Sequence, residues 1–238
     1  MGDKEKSIAV MQPYFIPYIG YFQLMNKVDE FVIYDNIQFS KSGWIHRNRI
    51  LENGKDVYIS LPIKKDSDFL DVRERFLADN YEKLKIKFLS KFKNNYQKAP
   101  YFKETMPLVE ELLNDEERNL FTFIYNTLIR IRKHLKIKTQ ITISSEIDID
   151  HSLTSSDKIK AIVKKRNASS YINPIGGIEL YKKDDFKKDD IDLKFIKTND
   201  FIYSQFDNEF NPFLSIVDIL MFNGKEESMN LLENYELE

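Results

Sequence analysis

The spacing of apolar residues changes twice within the first forty residues of the chain. The run "SIAVMQ" is mostly apolar and ends at Pro13, which has no backbone N–H to donate to a sheet, so it predicts a short buried strand. The stretch "GYFQLMNKV", beginning at Gly20, has apolar residues at nearly helical spacing. The next stretch, "EFVIYD", is rich in β-branched and aromatic residues and predicts a second strand. A strand, a helix and a strand in this order are typical of a parallel βαβ unit.

The rest of the chain continues to alternate between strand and helix patterns. Residues 57–63, "VYISLPI", predict a third strand after the turn "ENGKD", and residues from about 80 to 138 have a helical period. Four later segments predict, in order, a strand, a helix, a strand and a helix: "TQITISSEI", "SSDKIKAIVKKRNA", "LKFIK" and "FNPFLSIVDILMFNG", the last ending at Asn223–Gly224. We therefore predict an α/β fold, with a Rossmann-like parallel sheet core and a helical middle region, in a single domain of residues 1–238. The acidic tail at residues 225–238 is predicted to be peripheral.

The composition supports a globular fold and excludes several classes of site. The 238 residues are 42% hydrophobic, which is enough for a real core, and 36 Lys and Arg against 38 Asp and Glu give a net charge of −2. This near balance predicts no whole-molecule attraction to nucleic acid or to an anionic membrane. The absence of cysteine excludes disulfides, thiolate catalysis and Cys-based metal sites. No apolar run has the length of a signal peptide or a membrane span, so we predict a soluble cytoplasmic protein with no membrane partner.

The first candidate site is the aromatic loop that follows the first predicted strand. Pro13 and Pro17 restrict the backbone of this loop, which makes it rigid before any ligand binds. Its tyrosines offer flat faces and hydroxyl groups, and its glycine permits a sharp turn or a close approach to a ligand. In α/β sheets, ligands bind at the carboxyl ends of the strands, where this loop begins. We predict substrate contacts from Gln12, Tyr14, Tyr18, Gly20 and Tyr21; the alternative is a hydrophobic plug that covers the end of the sheet.

The second candidate site is the segment "YDNIQFSKSGWIHRNRI", residues 34–50, which follows the second strand and should reach the same edge of the sheet. Arginine and lysine can hold phosphate or carboxylate groups, and Trp44 can stack on a base or a sugar ring. We predict catalytic roles for His46, which can exchange a proton near neutral pH, and for Asp35. Predicted substrate contacts come from Gln38, Lys41, Trp44, Arg47, Asn48 and Arg49. The alternative is a surface turn with incidental charges.

Three features complete the set of candidate positions. The stretch "SSYINPIGGIELY" contains a tight loop whose amides can face an anion, so we predict contacts from Asn173, Gly176 and Gly177; a plain turn is the alternative. The familiar phosphate-loop, serine-hydrolase and zinc-protease motifs do not occur, and the spacing of His151 from nearby aspartates is weak, so we predict no metal site. Asp218 lies in an otherwise apolar helical pattern and predicts a buried carboxylate with an arginine or tyrosine partner.

The chain carries, in this order, the stretches "MQPYFIPYIGYFQL", "VIYDNIQFSKSGWIHRNRI", "YINPIGG" and "FLSIVDILMFNG". Together they resemble the WbqC-like family of bacterial proteins, over nearly the whole chain from about Ile8 to Gly224. Members of that family occur with genes for O-antigen and other surface polysaccharides. The resemblance therefore implies a role in making or decorating such a glycan.

From the resemblance and the candidate residues together we expect an enzyme that forms an amide on an amino sugar during surface-polysaccharide (O-antigen) biosynthesis. Its substrates would be a nucleotide-linked amino sugar and an activated acyl or aminoacyl donor, and the sequence leaves the donor and any cofactor unknown. The nucleotide-sugar would be held by Tyr14, Trp44, Arg47 and Arg49. His46 or Asp35 would take a proton from the attacking amine. Two alternatives stay open: a non-catalytic binding or assembly protein for a glycan intermediate, and a transferase that uses aminoacyl-tRNA. No other nucleic acid partner is expected.

Overall fold

The computed structural model describes residues 5–238. The strands in these residues are β1 (Ser7–Met11), β2 (Glu30–Ile33), β3 (Arg47–Glu52), β4 (Lys55–Ser60), β5 (Gln140–Ile143), β6 (Ser170–Pro174), β7 (Asp192–Thr198) and β8 (Tyr235–Leu237). The α-helices are α1 (Ile19–Lys27), α2 (Tyr81–Tyr96), α3 (Phe102–Leu113), α4 (Leu120–His134), α5 (Ser155–Lys165), α6 (Lys183–Lys187) and α7 (Ile216–Asn230). None of the helices in these residues combines the length and the hydropathy needed to cross a bilayer.

Six strands form one sheet in the order β5–β2–β1–β6–β7–β8. All neighbouring pairs are parallel except β7 and β8, which are antiparallel. The predicted βαβ unit is confirmed, since β1 and β2 pair in parallel with α1 between them in the chain. The fold is therefore α/β, as predicted. The strand order reverses direction at β1, and in such sheets the crevice at this reversal is the usual ligand position.

Both faces of the sheet are buried, which explains why its strands are continuous apolar runs rather than alternating ones. Ile8 and Val10 of β1 pack in one hydrophobic cluster with residues of α5, whereas Ala9 between them packs in the larger cluster on the opposite face. Alternate residues of a strand point to opposite faces, so each cluster takes every second residue.

The stretch predicted as a third strand lies outside the main sheet. Its first four residues, 57–60, belong to β4, which ends at Ser60 and pairs only with β3 in an antiparallel hairpin. The turn between them has positive φ at both Asn53 (51°) and Gly54 (74°), the conformation that two-residue hairpins favour. The hairpin buries Ile50 and Ile59 in the larger hydrophobic cluster. The local pattern predicted β4. Its partner β3 begins within the segment that was predicted as a binding site, residues 34–50.

The predicted helical middle region contains α2, α3 and α4, and α7 packs against it. Asp218 of α7 is fully buried there, and its two carboxylate oxygens accept hydrogen bonds from the hydroxyls of Tyr96 and Tyr203, each at 2.7 Å, and from Gln205 Nε2 at 2.9 Å. The predicted tyrosine partner is confirmed. Burial raises the pKa of Asp218. The three donors stabilise its carboxyl group, which would be costly to bury without hydrogen bonds.

The segment at residues 225–238, predicted as a peripheral tail, has regular secondary structure and is attached to the sheet. The predicted break at Gly224 is present, with φ at 72°, but a second helical segment follows to Asn230 and then β8 forms an edge strand on β7. Gln23 Nε2 of α1 donates to the carbonyls of Leu231 (2.8 Å) and Asn234 (3.0 Å), and Leu232 is buried. The overall acidity of this segment hid the apolar residues that attach it to the core.

Candidate functional site

The two segments predicted as binding sites converge on one cavity of about 260 Å³. We call it the aromatic cavity. Its walls come from the first loop, from the segment before and within β3, and from the segment before α7: Tyr14, Pro17, Tyr18, Trp44, Asn48, Arg49 and Phe213. Tyr18 and Phe213 also line a neighbouring, largely apolar cavity of about 350 Å³ near the carboxyl end of β7. The predicted convergence at one edge of the molecule is therefore present in the structure.

Direct hydrogen bonds hold the two segments together. The backbone N–H of Phe15 donates to the carbonyl of Ile45 at 3.1 Å. Asn48 Nδ2 donates to the carbonyls of Phe15 (3.0 Å) and Ile16 (2.9 Å), and its Oδ1 accepts from the N–H of Arg49. Asn48 is 4% exposed and its polar atoms are occupied. It was predicted as a substrate contact, but its side chain in this structure joins the walls of the cavity.

Two residues beside the aromatic cavity have unusual backbone conformations. Ile16 has φ at 38° and Phe213 has φ at 58°, in the left-handed region that β-branched and bulky residues rarely adopt. The carbonyl of Ile16 accepts hydrogen bonds from Asn48 and from Ser215 Oγ (2.8 Å), which maintain this conformation. Such strain persists only where the surroundings hold it, and it is concentrated at functional sites in many proteins.

Gly20 has a packing role that explains why it has no side chain. A Cβ at this position would lie 2.4 Å from the ring of Tyr18, so the glycine lets that ring lie flat over the start of α1. Tyr21, also predicted as a substrate contact, is 1% exposed, and its hydroxyl donates to the carbonyl of Gln12 at 3.0 Å. Both residues shape the loop from inside, whereas the Gln12 side chain is exposed at the end of β1.

Trp44 and Arg49 of the aromatic cavity lie beside a second pair of aromatic and guanidinium groups, Tyr58 and Arg47, which do not line it. The guanidinium carbon of Arg49 lies 5.6 Å from the ring centre of Trp44, and that of Arg47 lies 4.8 Å from the ring centre of Tyr58. Arg49 Nη1 is 2.9 Å from Asp56 Oδ2, while its Nε is buried without a hydrogen-bond partner among residues 5–238. Arg47 donates to the carbonyls of Ser42 and Gly43 and so fixes the turn that carries Trp44.

The tyrosine hydroxyls of the aromatic cavity are protonated at neutral pH. Burial raises the pKa of Tyr14, with a further increase from Tyr18, and burial also raises the pKa of Tyr18. A neutral hydroxyl can donate a hydrogen bond to a sugar or phosphate oxygen. The cavity therefore offers flat rings, hydroxyl donors and one arginine, which together suit a ring-containing ligand with a negative charge.

His46 and Lys41 line a different cavity, of about 390 Å³, which we call the basic cavity. Lys41 is exposed and forms an ion pair with Asp68 at 2.6 Å. The His46 ring contacts Phe39 edge to face, and its Nδ1 is buried without a partner among the described residues. Burial, and then the charge of Arg47, lower the pKa of His46, so its ring is neutral at pH 7. A neutral imidazole can accept a proton, as the predicted catalytic role requires.

Asp35 belongs to a third group, at the carboxyl ends of β2 and β5. It is 4% exposed, and its Oδ1 accepts hydrogen bonds from Ser144 Oγ and from the N–H of Ser145, each at 2.9 Å. Its Oδ2 is 3.8 Å from Arg73 Nη1. Gln38, predicted as a substrate contact, donates to the carbonyl of Asp68 at 2.8 Å. Asp35 is thus held within the fold and does not line either cavity described above.

Lys158 of α5 lies beside the same group. It is 8% exposed, and its Nζ lies 5.4 Å from the ring centre of Tyr34. Its only side-chain hydrogen bond among residues 5–238 is a long one, 3.5 Å, to the carbonyl of Asn36. Burial lowers its pKa, and Asp71 and Asp35 partly oppose this effect. This lysine was not predicted as a site residue, because the spacing of apolar residues around it is that of an ordinary amphipathic helix.

The third predicted loop forms a tight turn whose side chains face inward. Asn173 is 6% exposed; its Oδ1 accepts from the hydroxyl of Tyr171 at 3.0 Å. A Cβ on Gly177 would lie 2.0 Å from Asn173 Nδ2, whereas a Cβ on Gly176 would meet nothing within 4 Å. The glycine at 177 is therefore needed for packing, and Gly176 is the exposed member of the pair.

Several residues of the two cavities were not predicted from the sequence. They include Phe213 in the aromatic cavity, and Arg75, Lys64 and Lys65 in the basic cavity. Phe213 stands in an exposed "NPF" turn, and the three cations stand in a charged loop, so neither stretch had a pattern that separates a site from an ordinary surface.

Comparison with known proteins gives one family and one related sequence. The sequence model of the WbqC-like protein family matches residues 12–230. The chain is also 25% identical over 223 residues to a protein of Mycobacterium tuberculosis (strain ATCC 25618 / H37Rv) named "Uncharacterized protein Rv1507c", covering 93% of this chain and 95% of that protein. No solved structure matches the chain. Because the family match covers most of its length, the chain belongs to the WbqC-like protein family.

Proposed function

We propose that this member of the WbqC-like family is a transferase of surface-polysaccharide biosynthesis, which forms an amide on a nucleotide-linked amino sugar. The supporting observation is the aromatic cavity, where the segments that follow β1 and β2 meet around Trp44, Arg49 and two tyrosines. Its volume of about 260 Å³ suits one base or one sugar ring rather than a whole nucleotide-sugar, so the rest of the ligand would extend along the surface.

The recognition of the sugar nucleotide follows from the chemistry of the cavity walls. The Trp44 indole, 37% exposed, provides a face on which a base or a pyranose ring can stack. Arg49 supplies a positive charge whose Nε is not used within the fold. The Tyr14 and Tyr18 hydroxyls, kept neutral by burial, donate to ring or phosphate oxygens.

The chemical step needs an unprotonated amine and an activated carbonyl. The nitrogen of the amino sugar attacks the carbonyl carbon of the donor, a C–N bond forms, and the bond from that carbon to the leaving group breaks, with its electron pair departing on the leaving group. His46 is the base that we propose for the proton lost by nitrogen. It is neutral at pH 7 because its pKa is lowered, and only Ile45 separates it along the chain from Trp44 in the aromatic cavity.

Asp35 serves in this proposal as a positioning residue rather than as the base. Its carboxylate already accepts two hydrogen bonds at 2.9 Å and lies near Arg73. These contacts fix the end of β2, from which the segment to Trp44 departs.

The test is to incubate the full chain with dTDP-linked and UDP-linked amino sugars and a set of activated acyl and aminoacyl donors, and to follow the sugar by mass spectrometry. We expect a gain equal to the acyl group with loss of one hydrogen. Trp44→Ala should lower kcat/KM by about tenfold or more, because stacking of one ring contributes about 1–3 kcal/mol. Phe69→Ala is the matched control, since Phe69 is 86% exposed and lines neither cavity.

Binding without any product, for every donor tried, would overturn the transferase and leave a protein that holds a glycan intermediate. Equal losses of activity in the Trp44 and Phe69 variants would show that the aromatic cavity is not the substrate site.

A further inference from the structure

The basic cavity has the electrostatic character of an anion site. Four cationic side chains and one carboxylate line it: Lys41, Lys64, Lys65, Arg75 and Asp66. Lys41 is neutralised by Asp68, but within residues 5–238 neither Lys64 nor Lys65 has an ion-pair partner. Since the whole chain has a net charge of −2, this concentration of unpaired positive charge is local to the cavity.

Arg75 is the central observation. It is 2% exposed, yet its guanidinium is balanced by no carboxylate within ion-pair distance among the described residues. Nη1 donates to the carbonyl of Ser67 at 2.6 Å and Nη2 to that of Lys64 at 3.3 Å, while Nε is buried without a partner. A buried charge of this kind is costly unless an opposite charge compensates it. Asp66 lines the same cavity and Asp68 interacts with Arg75 at longer range, but neither forms an ion pair with it, so an anion bound in the cavity would compensate this charge directly.

Two other residues that line the basic cavity, Phe39 and His46, also support an anion site. Phe39 packs under the Arg75 guanidinium, with 4.9 Å from the guanidinium carbon to the ring centre, and holds it in place. The His46 ring packs against the same phenylalanine and has a second buried nitrogen, Nδ1, without a partner. Two polar groups of one cavity thus have unused hydrogen-bonding capacity, and the lysines at its rim carry charge that can attract a polyanion.

We propose that the basic cavity binds the phosphate groups of a phosphorylated ligand. Its volume of about 390 Å³ accommodates a diphosphate, and a buried arginine flanked by exposed lysines suits several phosphate oxygens. Two sources share this chemistry: the diphosphate of a nucleotide-sugar, and the phosphate of a separate activated donor. The inference does not depend on the proposed transferase, because phosphate binding is measurable without an amino sugar.

The test is calorimetric titration of the full chain with inorganic pyrophosphate at low ionic strength. We expect saturable binding by the natural protein. The double variant Lys64→Ala/Lys65→Ala should weaken it by about fivefold or more, from the loss of two charge contacts. The matched control is Lys83→Ala/Lys87→Ala, which removes two exposed lysines of α2 with the same change in net charge and should leave the affinity unchanged.

Arg75→Gln is a second variant, and circular dichroism checks whether it folds. If it does not fold, the proposal is tested by the double lysine variant alone. A natural protein with no saturable pyrophosphate binding, or equal weakening in the two lysine pairs, would overturn the proposal. A nucleotide-sugar added beforehand identifies the source: competition with pyrophosphate assigns the site to the sugar nucleotide's own diphosphate, and simultaneous binding assigns it to a second phosphorylated ligand. Both of these results support the site.

Discussion

The aromatic cavity and the basic cavity are lined by residues only two positions apart on the chain, Trp44 and His46, yet they differ in chemistry. The first is formed by rings and contains one arginine, which is paired with Asp56. The second contains four cations, of which Arg75 is buried without a carboxylate partner in the described residues. One short segment thus contributes a stacking surface to one site and a proton acceptor to the other.

The difference shows how each site would select its ligand. Stacking on a ring depends on shape and buried area and changes little with salt. Attraction between a polyanion and surface lysines is screened by salt within about 10 Å at 0.1 M ionic strength. A ligand with both a ring and phosphate groups would use both cavities, and variants that disturb one cavity alone should separate the two contributions.

The largest expected effect is on the chemical step and comes from His46→Gln. Glutamine keeps a polar side chain but cannot take the proton, so kcat/KM should fall by about 100-fold to 10,000-fold with little change in nucleotide-sugar affinity. The pKa of His46 is lowered from 6.5, so in the natural protein the loss of rate that comes from protonation of this ring should occur below pH 6.5.

The measurement is the pH dependence of kcat/KM in both proteins, with His134→Gln as the control. His134 lies at the end of α4, outside both cavities. An acid limb of the same shape in the natural protein and in His46→Gln would rule out this histidine as the base.

An intermediate effect is expected from Gly20→Ala, which acts on the aromatic cavity alone. The added Cβ would lie 2.4 Å from the Tyr18 ring, so the ring must move into the space that it lines. Nucleotide-sugar affinity should fall by about tenfold, equivalent to about 1.4 kcal/mol, whereas pyrophosphate affinity should not change. The free energy of unfolding should change by less than the overpacking cost alone, because two effects oppose each other. Overpacking destabilises the fold by about 1–3 kcal/mol, whereas alanine is about 1 kcal/mol more favourable than glycine in a helix.

Gly176→Ala is the matched control for this variant, because a Cβ there meets nothing within 4 Å. Calorimetry with the two ligands gives both affinities. If Gly20→Ala weakened both ligands equally, the two cavities would not be independent.

The smallest expected effect is a difference in salt dependence. Raising the ionic strength from about 0.1 M to about 1 M shortens the screening length from about 10 Å to about 3 Å. Pyrophosphate affinity should then fall at least about threefold more than that of an uncharged N-acetylated sugar, since the lysines of the basic cavity are exposed. Titrations of each ligand at both salt concentrations provide the comparison, and parallel losses would contradict the assignment of charge to one cavity and stacking to the other.

The sequence predicted the secondary structure of the core well, because its elements have clear periods. The βαβ unit, the helical middle region and the break at Gly224 all depend on local patterns. The edge strand β8 was missed because its three residues follow an acidic stretch and become a strand only by pairing with β7. The hairpin was half predicted, since β3 has four polar residues among six and resembles a surface segment.

The sequence predicted only part of the candidate site, because tertiary contacts decide which side chains face the cavity. Rigid prolines, tyrosines and Trp44 indicated where a ligand can bind, but the sequence did not separate residues that face the cavity from those that build its walls. Asn48 and Tyr21 have the chemistry of binding residues, and their hydrogen bonds to backbone carbonyls use that chemistry inside the fold. Arg75 lies in a loop, and only its burial distinguishes it from other arginines.

By itself the sequence determined the α/β class, the rigid aromatic loop and the family, because these depend on the order and period of residues along the chain. Only the tertiary structure decided that Trp44 and His46 face different cavities, that Asp35 is held apart from both, and that the C-terminal segment completes the sheet. The physical reason is that burial and hydrogen-bond partners come from residues distant in sequence, and they determine whether a polar side chain is free to meet a ligand.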